Sequence, residues 1–259
     1  MTHEDSATAP DPATREIAAY DDLRYRDVFW AARLYEDACD RIALRALLPP
    51  TGRRLIEVGA GFGRLAGEYA GYDEVVLLDS SDVHVAAARE KLGGDPRFSV
   101  VAGDAYALPY PDGHFDAAVC IRVLHHFEDP GPALAEIGRV VRPGGVLVLE
   151  FANKRNLKSI ARYALGRQAW SPFEPGPVAY KPLHFDHAPA GIRRWLRRAG
   201  FSIVRVRSAS VFRLPGLSRR LPLPAISWLE ARVQAPLGAV TAGPSIFVLA
   251  RRPNEAAPD

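Results

Sequence analysis

Between residues 55 and 151, short runs of Val, Leu and Ile alternate with amphipathic stretches, and this rhythm constrains the fold more than any other feature. The spacing predicts strands over 55–58, 75–79, 98–102, 115–120 and 146–151, with helices over 64–70, 83–92 and 132–141. Gly93-Gly94 closes the second of these helices, and Arg142-Pro143-Gly144-Gly145 stops the third. Strand, helix, strand at this interval is the pattern of a doubly wound α/β fold with a parallel sheet and crossover helices. The strand runs are almost continuously apolar, as expected where helices cover both faces of the sheet. Such sheets hold their ligands beyond the carboxyl ends of the strands, so the chemistry belongs in the loops that follow them.

The flanking segments read differently. Val28, Trp30, Leu34, Ala38, Ile42 and Leu44 recur near helical spacing until Pro49-Pro50 ends the pattern. Residues 1–14 are polar and rich in Pro and Ala, and are expected to form a disordered leader without a secretion signal. After Phe151 the rhythm breaks. Residues 152–188 are rich in aromatics and prolines, 189–199 resume a helix capped by Gly200, and 201–206 form a sixth strand. A second irregular stretch, 208–244, precedes a last strand over 245–250, and 252–259 read as a frayed tail. The expected organisation is therefore an N-terminal helical segment over 15–50 and one domain over 51–251, with insertions at 152–188 and 208–244.

No run of eighteen uncharged apolar residues occurs, which argues against a transmembrane helix. Two isolated cysteines, Cys39 and Cys120, support neither a disulfide framework nor a cysteine zinc site, and fit a reducing cytoplasm. The net charge of +3 conceals an asymmetry: residues 1–150 balance to −10 and residues 151–259 to +13. The two parts either meet different partners or face one another, although a compositional bias toward arginine accounts equally for part of the split.

The loop after the first strand, Glu57-Val58-Gly59-Ala60-Gly61-Phe62-Gly63, lets the backbone approach a ligand closely. A nicotinamide-dinucleotide domain is the obvious competitor, but Arg64 stands where that fingerprint wants its last glycine, and the acidic Glu57 lies within the strand. Asp79 closes the second strand, placed to accept from ribose hydroxyls. Asp104 follows the third, where an adenine amino group could be recognised.

Five ordered blocks carry a resemblance. They are the Glu57–Gly63 loop, Leu77-Leu78-Asp79-Ser80-Ser81, Gly103-Asp104-Ala105, the segment 108–116 with Val123-Leu124-His125-His126-Phe127, and Arg142-Pro143-Gly144-Gly145. Over about 53–151 the chain resembles the class I S-adenosylmethionine-dependent methyltransferases, in the small-molecule subgroup called type 11. The resemblance implies a Rossmann-like seven-stranded, mostly parallel sheet with its last strand antiparallel, and S-adenosylmethionine as cofactor. It places Glu57, Gly59, Ala60 and Gly61 at the methionine end, and Asp79 and Ser80 at the ribose. Asp104 and Ala105 fall at the adenine, and Arg122 near the methionine moiety or the acceptor. The N-terminal helix with Tyr20, Tyr25 and Arg26 looks like the lid that such enzymes close over the cofactor.

The reaction implied is an in-line displacement at the sulfonium methyl group, for which the protein contributes alignment and exclusion of water. A general base is required only if the acceptor must lose a proton. His125 and His126 are the catalytic candidates, though the same pair also fits local packing or capping. His184 and His187 flank Phe185-Asp186 ahead of a helix that Asp186 or His187 could cap. The four histidines show no metal-ligand spacing, so no metal is expected.

Acceptor choice is expected to reside in the two insertions, where apolar residues interleave with arginines. A small, partly apolar acceptor fits them best, with weak contact to an anionic membrane surface as a second use. Two other readings stand beside it. A nucleic-acid methyltransferase would suit the basic C-terminal part, but no appended RNA-binding module and no Asn-Pro-Pro-Tyr or Pro-Cys motif is present. A non-catalytic S-adenosylmethionine-binding protein would keep the same loops. Oligomeric state leaves no mark in the sequence.

Overall fold

The computed structural model describes residues 25–213 and 221–254. The leader 1–14, Tyr20 and residues 255–259 of the tail lie outside the described residues, as do the side chains of Tyr25 and Arg26.

Seven strands form one sheet: β1 (Gly52–Val58), β2 (Tyr72–Asp79), β3 (Phe98–Ala102), β4 (Phe115–Cys120), β5 (Val141–Ala152), β8 (Ser202–Ala209) and β9 (Ser245–Arg251). Their order is β3-β2-β1-β4-β5-β9-β8. β1 to β5 pair in parallel, and β9 runs antiparallel to both of its neighbours. This is the seven-stranded sheet with an antiparallel last strand that the resemblance implies. The order reverses between β1 and β4, and that switch point opens a crevice at the strands' carboxyl ends.

The helices are α1 (Leu34–Leu47), α2 (Asp82–Leu92), α3 (Gly131–Val140), α4 (Leu157–Ala164), α5 (Pro189–Arg198) and α6 (Leu223–Ala239). Alternation along each strand divides the core. Leu55 and Leu77 join Leu44, Leu47, Tyr69 and Phe247 on one face. Ile56 and Leu78 join Leu134, Ile137, Ile192 and Leu196 on the other. Among the described residues, no helix is long and apolar enough to cross a membrane.

Four expectations change. The helix predicted over 64–70 is a turn and a short 3-10 segment, Ala66–Tyr69; Gly63, Gly67 and Gly71 weaken a longer helix, and burial of Leu65 and Tyr69 fixes the turn instead. The N-terminal helical segment is interrupted among the described residues, with a π-helical turn at Tyr25–Trp30 before α1. In the first insertion, β6 (Val178–Lys181) and β7 (His184–Asp186) make a separate hairpin. The second insertion is not irregular: α6 buries Ile226, Glu230 and Gln234 and contacts α1 and β8.

The α1–α6 seam is polar, which is why the sequence pattern hid it. The Tyr35 hydroxyl donates to Glu230 Oε2 at 2.8 Å and accepts from the Phe212 N–H at 3.0 Å. Gln234 donates to the Cys39 carbonyl at 3.1 Å. Burial pushes the Glu230 carboxyl above its ordinary value and the Tyr35 hydroxyl far above its own. Tyr35→Phe removes one hydroxyl that serves two buried partners, so urea unfolding should report a loss of about 1–3 kcal/mol.

Candidate active site

The loop between β1 and the 3-10 turn is held from beneath. Gly59 and Ala60 both donate to the Leu78 carbonyl, at 2.8 and 3.0 Å. Gly59 has φ +76°, and a Cβ there would lie 2.2 Å from Val123 Cγ2, so the loop is locked against the segment after β4. Gly61 has φ +55°, and a Cβ there would meet nothing within 4 Å. The first glycine is needed for packing, and the next faces open space that a ligand can enter.

One pocket gathers Glu57, Gly59, Ala60, Gly61, Asp79, Ser80, Arg122 and His126 from the expected residues. Trp30, Phe62, Arg64, Ser81, His84, Ile121, Val123 and Phe127 complete its lining. His125, Asp104 and Ala105 do not line it. Asp104 Oδ1 accepts from the Tyr106 N–H at 2.9 Å, and the Tyr106 ring packs edge-on to Phe127, 5.0 Å between centroids. Asp104 is therefore coupled to the pocket through two residues rather than facing it.

Asp79 spends one contact from each oxygen on the protein. Oδ2 accepts from the Gly61 N–H at 2.7 Å, and Oδ1 accepts from the Ser81 N–H at 3.0 Å. Each carboxylate oxygen keeps a lone pair for a further donor. Ser81 also caps α2, its side chain accepting from His84 N.

Glu57 lies on the floor, 3% exposed; its Oε2 makes no hydrogen bond of good geometry, although the buried Tyr69 hydroxyl, also without one, lies beside the carboxyl. Burial pushes its carboxyl from 4.5 up to about 7. An orphaned acidic oxygen beneath a glycine cradle is matched to a ligand bearing a cationic N–H donor.

Arg122, where β4 ends, adopts φ +63°, a strained conformation for a residue with a side chain. Its N–H donates to Glu150 Oε2 at 3.0 Å, and its guanidinium donates to both Asp40 oxygens at 2.7 and 3.2 Å. Arg64 donates to Asp40 Oδ2 at 2.9 Å and to Asp37, and its guanidinium stacks 3.7 Å from the centre of the Trp30 ring. Asp40 and Glu150 are fully buried. A network from α1 through the glycine loop to β4 and β5 thus sets the pocket's shape. Asp40 and Trp30 escaped the sequence reading because their partners are remote in the chain; Arg64 drew notice only as a departure from the dinucleotide pattern.

The histidines divide. His126 reaches the pocket with Nδ1 3.3 Å from the Leu183 carbonyl, and burial pushes it down to about 4. Burial holds His125 well below its ordinary value too, with His126 and Arg122 adding to the effect. His187 is buried, with Nε2 3.1 Å from the Leu124 carbonyl. Neither it nor Asp186 caps α5, whose N-cap is Ala188 without a side-chain bond. Lys154, in the first insertion, is buried and donates to the Gly176 carbonyl at 2.7 Å.

The Methyltransferase domain family matches residues 56–149. A demethylmenaquinone methyltransferase of Thermus thermophilus is 33% identical over 73% of this chain and 90% of that protein. An uncharacterized 37.1 kDa protein in a transposon of Streptomyces fradiae is 38% identical over 52% of this chain; the match spans 38% of that longer relative. A solved S-adenosylmethionine-dependent methyltransferase from Mesorhizobium loti shares 26% identity at a TM-score of 0.59, over 81% of this chain and 96% of that one.

Two expectations follow from the geometry. Asp40→Ala removes a fully buried carboxylate from two largely buried arginines and should cost about 3–5 kcal/mol in denaturant unfolding, whereas Glu74→Ala, at the exposed pair with Arg54, should cost about 0–1 kcal/mol. Glu57 holds, when folded, a proton that the unfolded chain releases above 4.5. Its contribution to stability therefore falls as pH rises toward about 7 and is level beyond. Unfolding of the parent and Glu57→Gln chains at about pH 5 and about pH 8 should show the parent losing about 2–3 kcal/mol more.

Proposed function

The chain belongs to the class I S-adenosylmethionine-dependent methyltransferases, in the type 11 group, and on that premise we propose that it methylates a small, partly apolar acceptor. When bound, the cofactor supplies an activated methyl group whose loss leaves a neutral thioether. The chain's own residues bind, orient and exclude water. Glu57 would take the cationic methionine end beneath Gly59 and Gly61. Asp79 and Ser80 would take the ribose hydroxyls, and Asp104 with Ala105 would shape the adenine side through Tyr106 and Phe127. The turn Tyr25–Trp30, which carries Tyr25 and Arg26, would close the pocket with Trp30.

The observation that carries this reading is the pairing of Glu57's unpartnered, buried oxygen with the open face of Gly61 in one pocket. Ile121, Val123, His126 and Phe127 line the same pocket and offer an acceptor apolar contact with one imidazole. The first insertion supports an acceptor role, since β7 packs against the segment Leu124–His126. The second does not: α6 belongs to the core, and its deletion would remove buried Glu230 and Gln234. Relatives are named as a demethylmenaquinone methyltransferase and as a ubiquinone biosynthesis O-methyltransferase, which supports a small-molecule acceptor.

A nucleic-acid acceptor has less support. Arg155, Lys158, Arg162 and Arg167 are exposed on the first insertion, but none lines the pocket. Titration calorimetry should detect S-adenosylmethionine and S-adenosylhomocysteine but no NAD, with Glu57→Gln weakening the former at least tenfold. Binding of NAD alone, or of none of the three, would refute the assignment.

A further inference from the structure

His125 and His126 follow β4 directly, and His184 opens β7, so only the hairpin brings the third imidazole to the other two. Ring centroids lie 3.9 Å apart for His125–His126, 5.1 Å for His126–His184 and 5.5 Å for His125–His184. One ring nitrogen from each lies within 4.8 Å of those of the other two. Linear spacing gave no reason to group them, which is why no metal was expected from the sequence.

Two of the three tautomers are fixed from outside the cluster. Nδ1 of His126 lies 3.3 Å from the Leu183 carbonyl, and Nδ1 of His184 lies 3.0 Å from the Pro182 carbonyl. A carbonyl only accepts, so each of these Nδ1 atoms carries the proton and each Nε2 carries the lone pair. Imidazoles that bind metal have this arrangement, one ring N–H anchored on a carbonyl and the other nitrogen on the ion. The nearby positive charge of Arg122 is matched by Asp40 and Glu150.

We propose that His125, His126 and His184 bind one divalent transition-metal ion beside the pocket, which His126 of the three lines, leaving a coordination position for an oxygen donor of the acceptor. Three neutral imidazoles suit Zn2+, Ni2+, Fe2+ or Cu2+ and disfavour Mg2+ or Ca2+, which want oxygen ligands. Three protein ligands and an open fourth position make a site that can hold a small molecule. An acceptor hydroxyl on such an ion would be more acidic and would give its proton to water, leaving an oxygen nucleophile without a dedicated protein base. This role for the ion rests on the proposed function; the ion site itself does not.

The test uses the full, untagged chain, stripped with a chelator and titrated with Zn2+ against a chromophoric competitor. Co2+ serves as a second probe through its visible absorption. One ion per chain is expected, bound at least tenfold more weakly by His184→Ala and by His184→Gln, while His114→Ala, outside the cluster, binds as the parent does. Calorimetry with S-adenosylmethionine on each variant reports whether fold and cofactor site survive. No binding by the parent, or equal affinity in the folded His184 variants, would overturn the site. A chain that binds the cofactor but no Zn2+ removes this inference alone; one that binds neither removes the proposed function as well.

Discussion

The pocket depends on one buried charge, Asp40. Its two oxygens receive guanidinium donors from Arg122 and Arg64, so a residue in the middle of α1 joins the end of β4 to the glycine loop. Desolvating a carboxylate is costly, and the cost is offset only where the geometry is good and the lone pairs are filled. Both conditions hold here, and Glu150, itself receiving Ser245 Oγ at 2.5 Å, anchors the Arg122 backbone in its left-handed conformation. Apolar packing alone would leave the end of β4 free to slide; a bidentate arginine fixes it in angle as well as distance. The Val123 side chain then closes over Gly59, so the cradle and the network are one construction.

That construction places an acidic floor under an open roof. Glu57 is the only member of the pocket left with an unpartnered buried oxygen among the described residues, and burial keeps it largely protonated at acidic pH. A cationic ligand would restore its charge, so binding and ionisation are coupled. Asp79, by contrast, already organises the loop through Gly61 and Ser81. The two acidic residues at neighbouring strand ends thus differ: Glu57 has a buried oxygen without a hydrogen bond, while Asp79 holds the loop and still lines the pocket.

The charge asymmetry along the chain has a spatial explanation. Several acidic residues of the first part, Asp40, Glu57 and Glu150, are buried in or beside the pocket, while Arg193, Arg194, Arg197 and Arg198 of α5 are exposed. Glu36 and Arg213 pair across the two parts at 3.2 Å. The two insertions also part company. The first folds a hairpin against the segment after β4, and the second supplies α6, which seals α1 through hydrogen bonds rather than an apolar stripe.

Periodicity and motif spacing determined the parallel strands, their crossover helices and the residues at three strand ends, because these are local properties: a strand buried on both faces must be apolar, and a close backbone turn must be glycine. The family followed from the order of those motifs. Only the tertiary structure decided the contacts between distant residues. Asp40 with Arg122, Tyr35 with Glu230, and His184 with His125 and His126 each pair a polar residue in an unremarkable local context with one far along the chain, and no periodicity encodes such a meeting. The helix over 64–70 gave way because its glycines disfavour a longer helix and burial of Leu65 and Tyr69 fixes the turn in its place. The glycine loop and the acidic residue at the next strand end could be read from the sequence because they are consecutive residues on strand ends; the rest of the pocket lining could not, because it is assembled from elements that touch only once the chain has folded.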